Sequence, residues 1–323
     1  MSKALGLLSG GLDSILAIKV LEEQGINVTG ITFVTPFFGP KKAEKAAKTL
    51  GIRLIIKNIT EEHLVMLKNP RYGYGSGMNP CIDCHGLMLK IAGEIMEREG
   101  FDFIFTGEVL GERPMSQNKQ SLGIVGKLSG YREYILRPLS ARLLEETKPE
   151  KEGRVDRSRL LDLNGRQRTR QFEMAEKYGI KDYPNPASGC LLTDPGFSKR
   201  LRDLFENEGD VPTGEIELLK AGRHVRMKEG PKIIIGRNEG DNMSLAGIEQ
   251  SKYYLFAPMG VKGPYCMIPK NMNAELLDKA ALLCVSYCSA QEGEEVTIRE
   301  KGKSQGKSVK TIFSKSNRPT EFV

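Results

Sequence analysis

Three cysteines lie in two separated segments of the chain whose residue types suggest reactive thiols. Cys81 and Cys84 are spaced as Cys-x-x-Cys in the string Asn-Pro-Cys-Ile-Asp-Cys-His, and Cys190 follows small residues in the segment 186–192. Clustered cysteines in a reducing compartment more often bind metals or perform catalysis than form disulfides. The other cysteines have apolar neighbours and are predicted to pack in a core; they are Cys266, Cys284 and Cys288.

Four kinds of chemistry fit the Cys81–Cys84 pair. Cys-x-x-Cys-His is the string of c-type haem attachment. Structural zinc needs four ligands, which Cys81, Cys84, Cys190 and His85 would supply. Bare thiols would pass a persulfide between Cys84 and Cys190. The interpretation we favour is an iron–sulfur cluster of the 4Fe–4S type held by Cys81, Cys84 and Cys190, which leaves one iron free to bind sulfide.

A second string with chemical potential is Ser9-Gly10-Gly11-Leu12-Asp13-Ser14, which lies between a buried apolar run and a helical pattern. Adjacent glycines let the backbone turn tightly and approach a ligand, and the following helix directs its free N–H groups at an anion. Ser9 and Ser14 add hydroxyl donors, and Asp13 could hold Mg²⁺ or orient the loop. The string lacks the lysine of the Walker type and the GxGxxG spacing of dinucleotide sites, so it indicates a different phosphate loop.

Alternating strands and helices are predicted to position these groups. This alternation favours a parallel α/β sheet, and the cysteine pair would stand just before a helix whose N-terminus favours thiolates. Residues 141–182 are charged, rich in arginine and predicted to be mostly helical. We place a domain boundary near residue 195, giving domains 1–194 and 195–323, the second a smaller α+β domain with a strand at 232–235 and a helix at 273–288. The predicted strands of the first domain are 3–8, 28–34, 52–56, 101–106 and 131–136, and its clearest helices follow residue 14 and span 41–50 and 88–99.

The composition predicts a cytoplasmic protein with no membrane segment. The 323-residue chain has a formal net charge of +7, which permits an anionic partner without identifying one. No stretch approaches the roughly 20 apolar residues that a membrane span needs. The first residues lack the long apolar region and the cleavage site of a signal peptide.

The Ser-Gly-Gly-x-Asp-Ser string resembles the PP-loop of ATP pyrophosphatases, which cut ATP between the α and β phosphates and adenylate a carbonyl oxygen. The resemblance implies an adenine nucleotide α-hydrolase-like fold, with ATP and Mg²⁺ as ligands. It also implies which residues bind ATP: Ser9, Gly10, Gly11, Asp13 and Ser14 around the phosphates, with Phe33, Thr106 and Gly107 nearby.

Combined with the cysteines, the loop resembles the tRNA thiolation enzymes: 4-thiouridine synthases, 2-thiouridylases and their iron–sulfur-dependent relatives. Thr106-Gly107-Glu108 and Leu136-Arg137-Pro138 resemble segments of the 4-thiouridine synthases. The implied reaction adenylates a uracil carbonyl oxygen of tRNA and replaces it with sulfur, with Cys190, Cys84 and Asp13 as catalytic residues. The sequence shows no rhodanese-type relay, and the RNA-binding module that usually precedes the loop in 4-thiouridine synthases is not seen. The modified uridine and the sulfur donor, sulfide or a persulfide carrier, therefore stay open.

Two further regions suggest RNA. Gly222-Arg223-His224 and the string from Ile234 to Glu239 resemble a small RNA-associated module of ribosome quality-control factors, although an ordinary α+β appendage would fit too. RNA contacts are predicted at Arg166, Arg168 and Arg170, and pairing of two chains into a homodimer is a further expectation. Three other functions stay open: a ligase with a nitrogen nucleophile, like amidotransferases and lysidine synthetase; a thiouracil desulfurase; and a non-catalytic RNA-binding or iron–sulfur sensing protein.

Overall fold

The computed structural model describes residues 1–183, 189–209, 212–228, 230–248 and 251–323. Within it the chain divides into two compact units, Met1–Asp194 and Pro195–Val323. Residues 186–188, part of the segment that precedes Cys190, lie outside the described residues. No helix in the described ranges is long and apolar enough to cross a membrane.

The first unit is built on a five-stranded parallel sheet, which confirms the predicted α/β class. The strand order is β3-β2-β1-β4-β5. The chain places β2 and β3 on one side of β1 and then β4 and β5 on the other side. In open parallel sheets, ligands bind at the carboxyl ends of the strands where the order reverses. Here that position lies between β1 and β4. The strands are β1 Lys3–Leu7, β2 Asn27–Val34, β3 Arg53–Asn58, β4 Phe103–Thr106 and β5 Ile135–Leu136.

Helices cover both faces of this sheet. Successive strand residues point to opposite sides, so apolar side chains are buried on each face. Ala4 and Phe105 belong to one buried apolar cluster, which includes helix residues such as Leu16. Leu5 and Ile104 belong to the cluster on the other face. The helices are α1 Leu12–Glu22, α2 Lys41–Leu50, α3 Thr60–Lys68, α4 Cys81–Glu99, α5 Lys119–Ser129, α6 Lys148–Lys151 and α7 Thr169–Lys177.

The structure corrects the predicted start of α4. The helix begins at Cys81, seven residues before the predicted start at residue 88, so the cysteine pair lies within its first turn rather than before it. Gly86 lies in the part that the prediction left out, where glycine would ordinarily weaken a helix. Here a Cβ at Gly86 would lie 2.9 Å from Cβ of Leu128, so the glycine allows α4 and α5 to pack closely.

Two other expectations for the first unit are wrong in extent. The fifth strand covers only Ile135–Leu136, because a 3₁₀ turn occupies Arg132–Tyr134. The arginine-rich stretch 141–182 is not mostly helical: α6 has four residues, and only α7 is longer. Ion pairs such as Arg157–Glu150 stabilise the irregular part of this stretch. Its charged residues therefore do not line the solvent-exposed face of a helix.

The second unit contains a six-stranded antiparallel sheet with helices on both faces, which confirms the α+β prediction. Its strand order is β11-β10-β8-β9-β7-β6. One face packs on α11 and buries Cys266, Cys284 and Cys288, confirming them as core residues. The elements are α8 Pro195–Asn207, α9 Thr213–Leu218, β6 Arg223–Arg226, β7 Lys232–Ile235, α10 Glu239–Ala246, β8 Tyr253–Pro258, β9 Cys266–Pro269, α11 Ala274–Val285, β10 Glu295–Glu300 and β11 Ser308–Ile312.

Candidate nucleotide and sulfur-transfer site

The phosphate loop joins β1 to α1 at the carboxyl edge of the parallel sheet. Gly10 adopts φ of 76°, and a Cβ there would lie 2.4 Å from the Lys42 carbonyl carbon. A side chain is therefore excluded both by backbone conformation and by contact with α2. Ser14 Oγ donates to the Gly11 carbonyl over 2.7 Å, which braces the turn.

Gly107 brings the end of β4 into contact with the same loop. A Cβ at Gly107 would lie 2.5 Å from the Ser14 backbone nitrogen and 2.6 Å from the Asp13 carbonyl carbon. Only glycine allows this approach, so the Thr-Gly-Glu segment is seated directly on the first turn of α1. Phe33, by contrast, has its side chain in the apolar cluster with Leu5. Its aromatic ring is thus part of the core beneath β2.

A buried ion pair follows Gly107. Glu108 accepts from Thr106 Oγ1 over 3.0 Å and from Arg137 Nε over 2.9 Å, and it lies 3.1 Å from His85 Nδ1. Burial alone would raise the pKa of Glu108, but the Arg137 charge and the His85 contact outweigh it and hold the pKa at about 2. This network connects the end of β4 to α4 one residue after Cys84.

We expect this ion pair to make the protein sensitive to acid. The ordinary pKa of Glu108 is near 4.5 and its folded value is about 2. A depressed folded pKa stabilises the protein above the ordinary value, and this stabilisation is lost as the pH falls towards 2. This shift of the Glu108 pKa corresponds to about 3 kcal/mol of stability. Glu108→Gln should therefore lower the free energy of unfolding at neutral pH, and that free energy should decline less steeply below pH 4.5. Urea unfolding of both proteins at pH 7 and pH 3 measures this.

Glu94→Gln is the matched control for that experiment, because the Glu94 side chain on α4 is 52% exposed. It should leave both the free energy of unfolding and its pH profile within about 0.5 kcal/mol of the parent protein. An identical acid profile in Glu108→Gln and the parent would contradict the role given to Glu108.

The two cysteine segments meet at the same edge of the sheet. The Met78 N–H donates to the Leu192 carbonyl over 3.0 Å, and the Leu191 N–H donates to the Phe37 carbonyl over 3.4 Å. These bonds fix the two residues that follow Cys190 beside the residues leading into α4. Desolvation raises the pKa of Cys190, and the nearby Cys81 raises it further. The structure thus brings together the three thiols expected from the sequence.

Cys84 has a histidine neighbour that the sequence did not reveal. His63 on α3 is fully buried, and its Nε2 lies 3.5 Å from Cys84 Sγ. The rings of Phe37 and Phe38 enclose the imidazole at centroid distances of 5.4 and 5.6 Å. Burial lowers the pKa of His63 to about 4, so the imidazole is neutral at physiological pH.

The thiol groups fit a metal centre in donor chemistry but are not arranged as a finished one. Desolvation raises the pKa of Cys84, and Cys190 and Cys81 raise it further. A thiophilic cation would reverse this by stabilising the thiolates. Within the described ranges, however, no three His, Cys, Asp or Glu side chains are placed to hold a metal ion. Any such group would require the side chains of Cys81, Cys84 and Cys190 to turn towards a common point.

Asp13 of the phosphate loop is paired with an arginine. Arg168 Nη2 lies 3.0 Å from Asp13 Oδ2, and Arg168 Nε lies 3.4 Å from Glu112 Oε1. The Arg168 side chain is only 10% exposed, which leaves little of it for RNA. Arg166 is exposed and Arg170 pairs with Asp162 at the surface, so RNA contact stays a prediction for these two residues.

The second unit carries cations stacked on tyrosine rings. The guanidinium groups of Arg223 and Arg318 lie 4.8 and 4.9 Å from the ring centre of Tyr287. Lys301 Nζ donates to the Tyr265 hydroxyl over 2.8 Å. Such pairs are suited to anionic partners with flat bases. These pairs could not be predicted from the sequence, because each cation lies far along the chain from its tyrosine.

Two family models match the chain. Residues 1–142 match the model described as thiamine biosynthesis protein ThiI, in the part that carries the phosphate loop and Gly107. Over this part the N-terminal unit is similar to the family in which the PP-loop string was expected. Residues 222–321 match the model described as the NFACT protein RNA binding domain. This second match confirms the resemblance noted around Arg223 and Ile234.

Individual relatives are tRNA thiolation enzymes that align over part of their length. The tRNA-specific 2-thiouridylase of Chloroflexus aurantiacus is 25% identical over 74% of this chain and 68% of its own. A probable tRNA sulfurtransferase of Anoxybacillus flavithermus is 31% identical over 42% of this chain and 35% of its own. A solved 4-thiouridine synthetase–RNA complex with bound ATP is 27% identical, with a TM-score of 0.35, over 42% of this chain and 36% of that one. The chain therefore aligns with about one third to two thirds of the length of these proteins.

Sequence reasoning found the two loops but missed the residues that join them. His63 was not predicted as a site residue, and Arg168 was predicted to contact RNA. Glu108 was noticed only as part of a resembling string. A charged residue two positions after the end of a strand that leads to the phosphate loop is the signal that could have identified Glu108.

Proposed function

We propose that the protein is an ATP-dependent tRNA sulfurtransferase that replaces a uracil carbonyl oxygen with sulfur. The observation that carries the proposal is the short structural path between the two loops. Gly107 is seated on the phosphate loop, and the next residue contacts His85, which follows Cys84. An activated base and a sulfur-bearing thiol can therefore meet at one edge of the sheet.

The phosphate loop serves the activation step. ATP would place its phosphates against the loop, with Asp13 holding Mg²⁺ and Ser9 and Ser14 donating hydroxyl hydrogen bonds. The uracil oxygen forms a bond to the α-phosphorus, and the bond to the bridging oxygen breaks. Pyrophosphate leaves with the electron pair. The base then carries AMP as a leaving group, which a sulfur nucleophile displaces.

The cysteines serve the sulfur step. We propose that Cys81, Cys84 and Cys190 hold an iron–sulfur cluster, because an uncompensated thiolate at Cys84 is unfavourable where it lies. When bound, such a cluster would supply sulfide to the activated base. Sulfide is the proposed source of sulfur for the cluster. In the alternative form, a small persulfide donor transfers its outer sulfur to Cys190, and this sulfur displaces AMP from the activated base. The Cys84 thiolate then attacks the Cys190 sulfur, which releases the thiolated base and leaves a Cys84–Cys190 disulfide for an external thiol to reduce.

The second unit supports tRNA as the substrate, because it matches an RNA-binding domain and carries stacked cations. A nitrogen nucleophile is not favoured, since an attacking amine would make no use of the three thiols. Desulfuration is not favoured either, since it would leave the phosphate loop without a role. The homodimer stays a prediction, which the mass of the protein in solution would check.

Thiolation of tRNA in vitro tests the proposal. Anaerobically purified protein is incubated with unmodified tRNA, ATP, Mg²⁺ and sulfide, and the nucleosides are quantified by mass spectrometry. We expect thiouridine together with equal amounts of AMP and pyrophosphate, and none without ATP. ATP cleavage coupled to an amine, or loss of sulfur from thiolated tRNA, would contradict it. Iron and acid-labile sulfide in similar amounts would support the cluster, whereas a colourless protein with tightly bound zinc would contradict it.

A further inference from the structure

We infer that Arg168 binds a phosphate group of ATP directly and is the main basic side chain of the phosphate site. The inference rests on the proposed function only in taking ATP as the ligand of the loop. It replaces the RNA contact predicted for Arg168 from the sequence.

Burial and unused donors set Arg168 apart from its neighbours. Its side chain is 10% exposed, yet Nε and Nη1 are buried without a hydrogen-bond partner. A guanidinium carries five N–H donors in a fixed planar fork, and unsatisfied buried donors are costly. One edge of the fork is used by Asp13, where Nη2 lies 3.0 and 3.3 Å from the two carboxylate oxygens. Nη1 and Nε make no hydrogen bond, although Nε lies 3.4 Å from Glu112 Oε1, so both donors can still bind a phosphate oxygen.

The backbone fixes this arginine beside the loop. Arg168 immediately precedes α7, and residues shortly before it pair with the chain that follows Gly107. The Gly165 N–H donates to the Leu110 carbonyl over 2.7 Å, and a Cβ at Gly111 would lie 2.9 Å from Asn164 Oδ1. The guanidinium also lies 5.6 Å from the centre of the Phe172 ring one turn later. These contacts orient the side chain towards α1 from outside the loop itself.

The local charge explains why the arginine is needed. Asp13 and Glu112 place two carboxylates around a single guanidinium, and both would repel a triphosphate. Desolvation raises the pKa of Glu112, and the nearby Asp13 raises it further. Arginine pairs with phosphate through two parallel hydrogen bonds. On ATP binding, Arg168 would turn its unused donors to a phosphate and free Asp13 for Mg²⁺.

Calorimetric titration with α,β-methylene-ATP and with adenosine tests the inference without tRNA. Arg168→Ala should weaken binding of the triphosphate analogue at least about tenfold, because charged hydrogen bonds are lost, while adenosine binds as before. Arg168→Lys should recover part of the loss. Arg132→Ala is the matched control, since it removes an arginine that is 60% exposed and has no role in the proposed site, and it should change neither affinity.

The ratio of the affinities for α,β-methylene-ATP and for adenosine shows whether Arg168 contacts a phosphate or only stabilises the fold. Misfolding of Arg168→Ala would weaken both ligands alike, and such a result, confirmed with Arg168→Lys, would overturn the inference. Unchanged binding of the analogue would also overturn it. A selective loss in Arg168→Ala, combined with no thiouridine from the parent protein, would uphold the inference and contradict the proposed thiolation alone.

Discussion

Replacing Cys84 with alanine is expected to abolish thiouridine formation while leaving binding of α,β-methylene-ATP within about twofold of the parent protein. The thiol belongs to the proposed sulfur site, with His63 Nε2 at 3.5 Å and with Cys81 and Cys190 close enough to raise its pKa. Its loss removes the sulfur-binding atom, but the phosphate loop loses no contact. The thiolation rate should therefore fall by more than roughly a thousandfold.

Cys284→Ala is the control for this variant, because it makes the same change at a buried thiol of the second unit. Thiolation should persist there, with a modest loss of stability of about 1 kcal/mol. Anaerobic tRNA thiolation followed by nucleoside analysis measures both variants. Full activity of Cys84→Ala would rule out sulfur chemistry at this cysteine.

Replacing Gly107 with alanine is expected to abolish ATP-analogue binding and to lower the free energy of unfolding by roughly 2–3 kcal/mol. The added methyl group would lie 2.5 Å from the Ser14 nitrogen and 2.6 Å from the Asp13 carbonyl carbon. Both neighbours are backbone atoms in the first turn of α1, so they cannot rotate away as a side chain could. The loop must move, and the phosphate site moves with it.

Gly123→Ala supplies the matched comparison, since no atom lies within 4 Å of a Cβ at that position of α5. It should leave nucleotide binding intact and stabilise the helix by about 0.5–1 kcal/mol, because alanine has the higher helix propensity. Urea unfolding and calorimetric titration give both quantities. Equal behaviour of the two alanine variants would show that the contact between β4 and the loop is unimportant.

Local patterns were enough to predict much of the first unit. The helix Lys41–Leu50 was predicted with its observed bounds, and β2 with an error of one residue at its start. Apolar alternation and glycine stops are local signals, and here they agree with the tertiary structure. The phosphate loop was found for the same reason, because each residue of the string has a physical task within a single turn.

Features that depend on packing between distant segments could not be predicted in the same way. The first two turns of α4 were not predicted, and the packing of Gly86 against Leu128 that accompanies them joins two different helices. The partners of the site residues are also distant in the chain: Arg168 pairs with Asp13, and His63 lies beside Cys84. A sequence shows residue types in order, but a charge or thiol acquires its role from neighbours that only the folded chain supplies.

The backbone bond between Met78 and Leu192 implies an order of events during synthesis. Cys190 leaves the ribosome about one hundred residues after Cys84, an interval of roughly 5–20 s at ordinary rates of elongation. During that time the nascent chain exposes only two of its three thiols, and the segment that closes over them does not yet exist. The three thiols come together only when Leu192 has formed its hydrogen bond with Met78 at the edge of the parallel sheet. Unfinished chains therefore cannot bring together all three thiols, which meet only after nearly the whole N-terminal unit has been made.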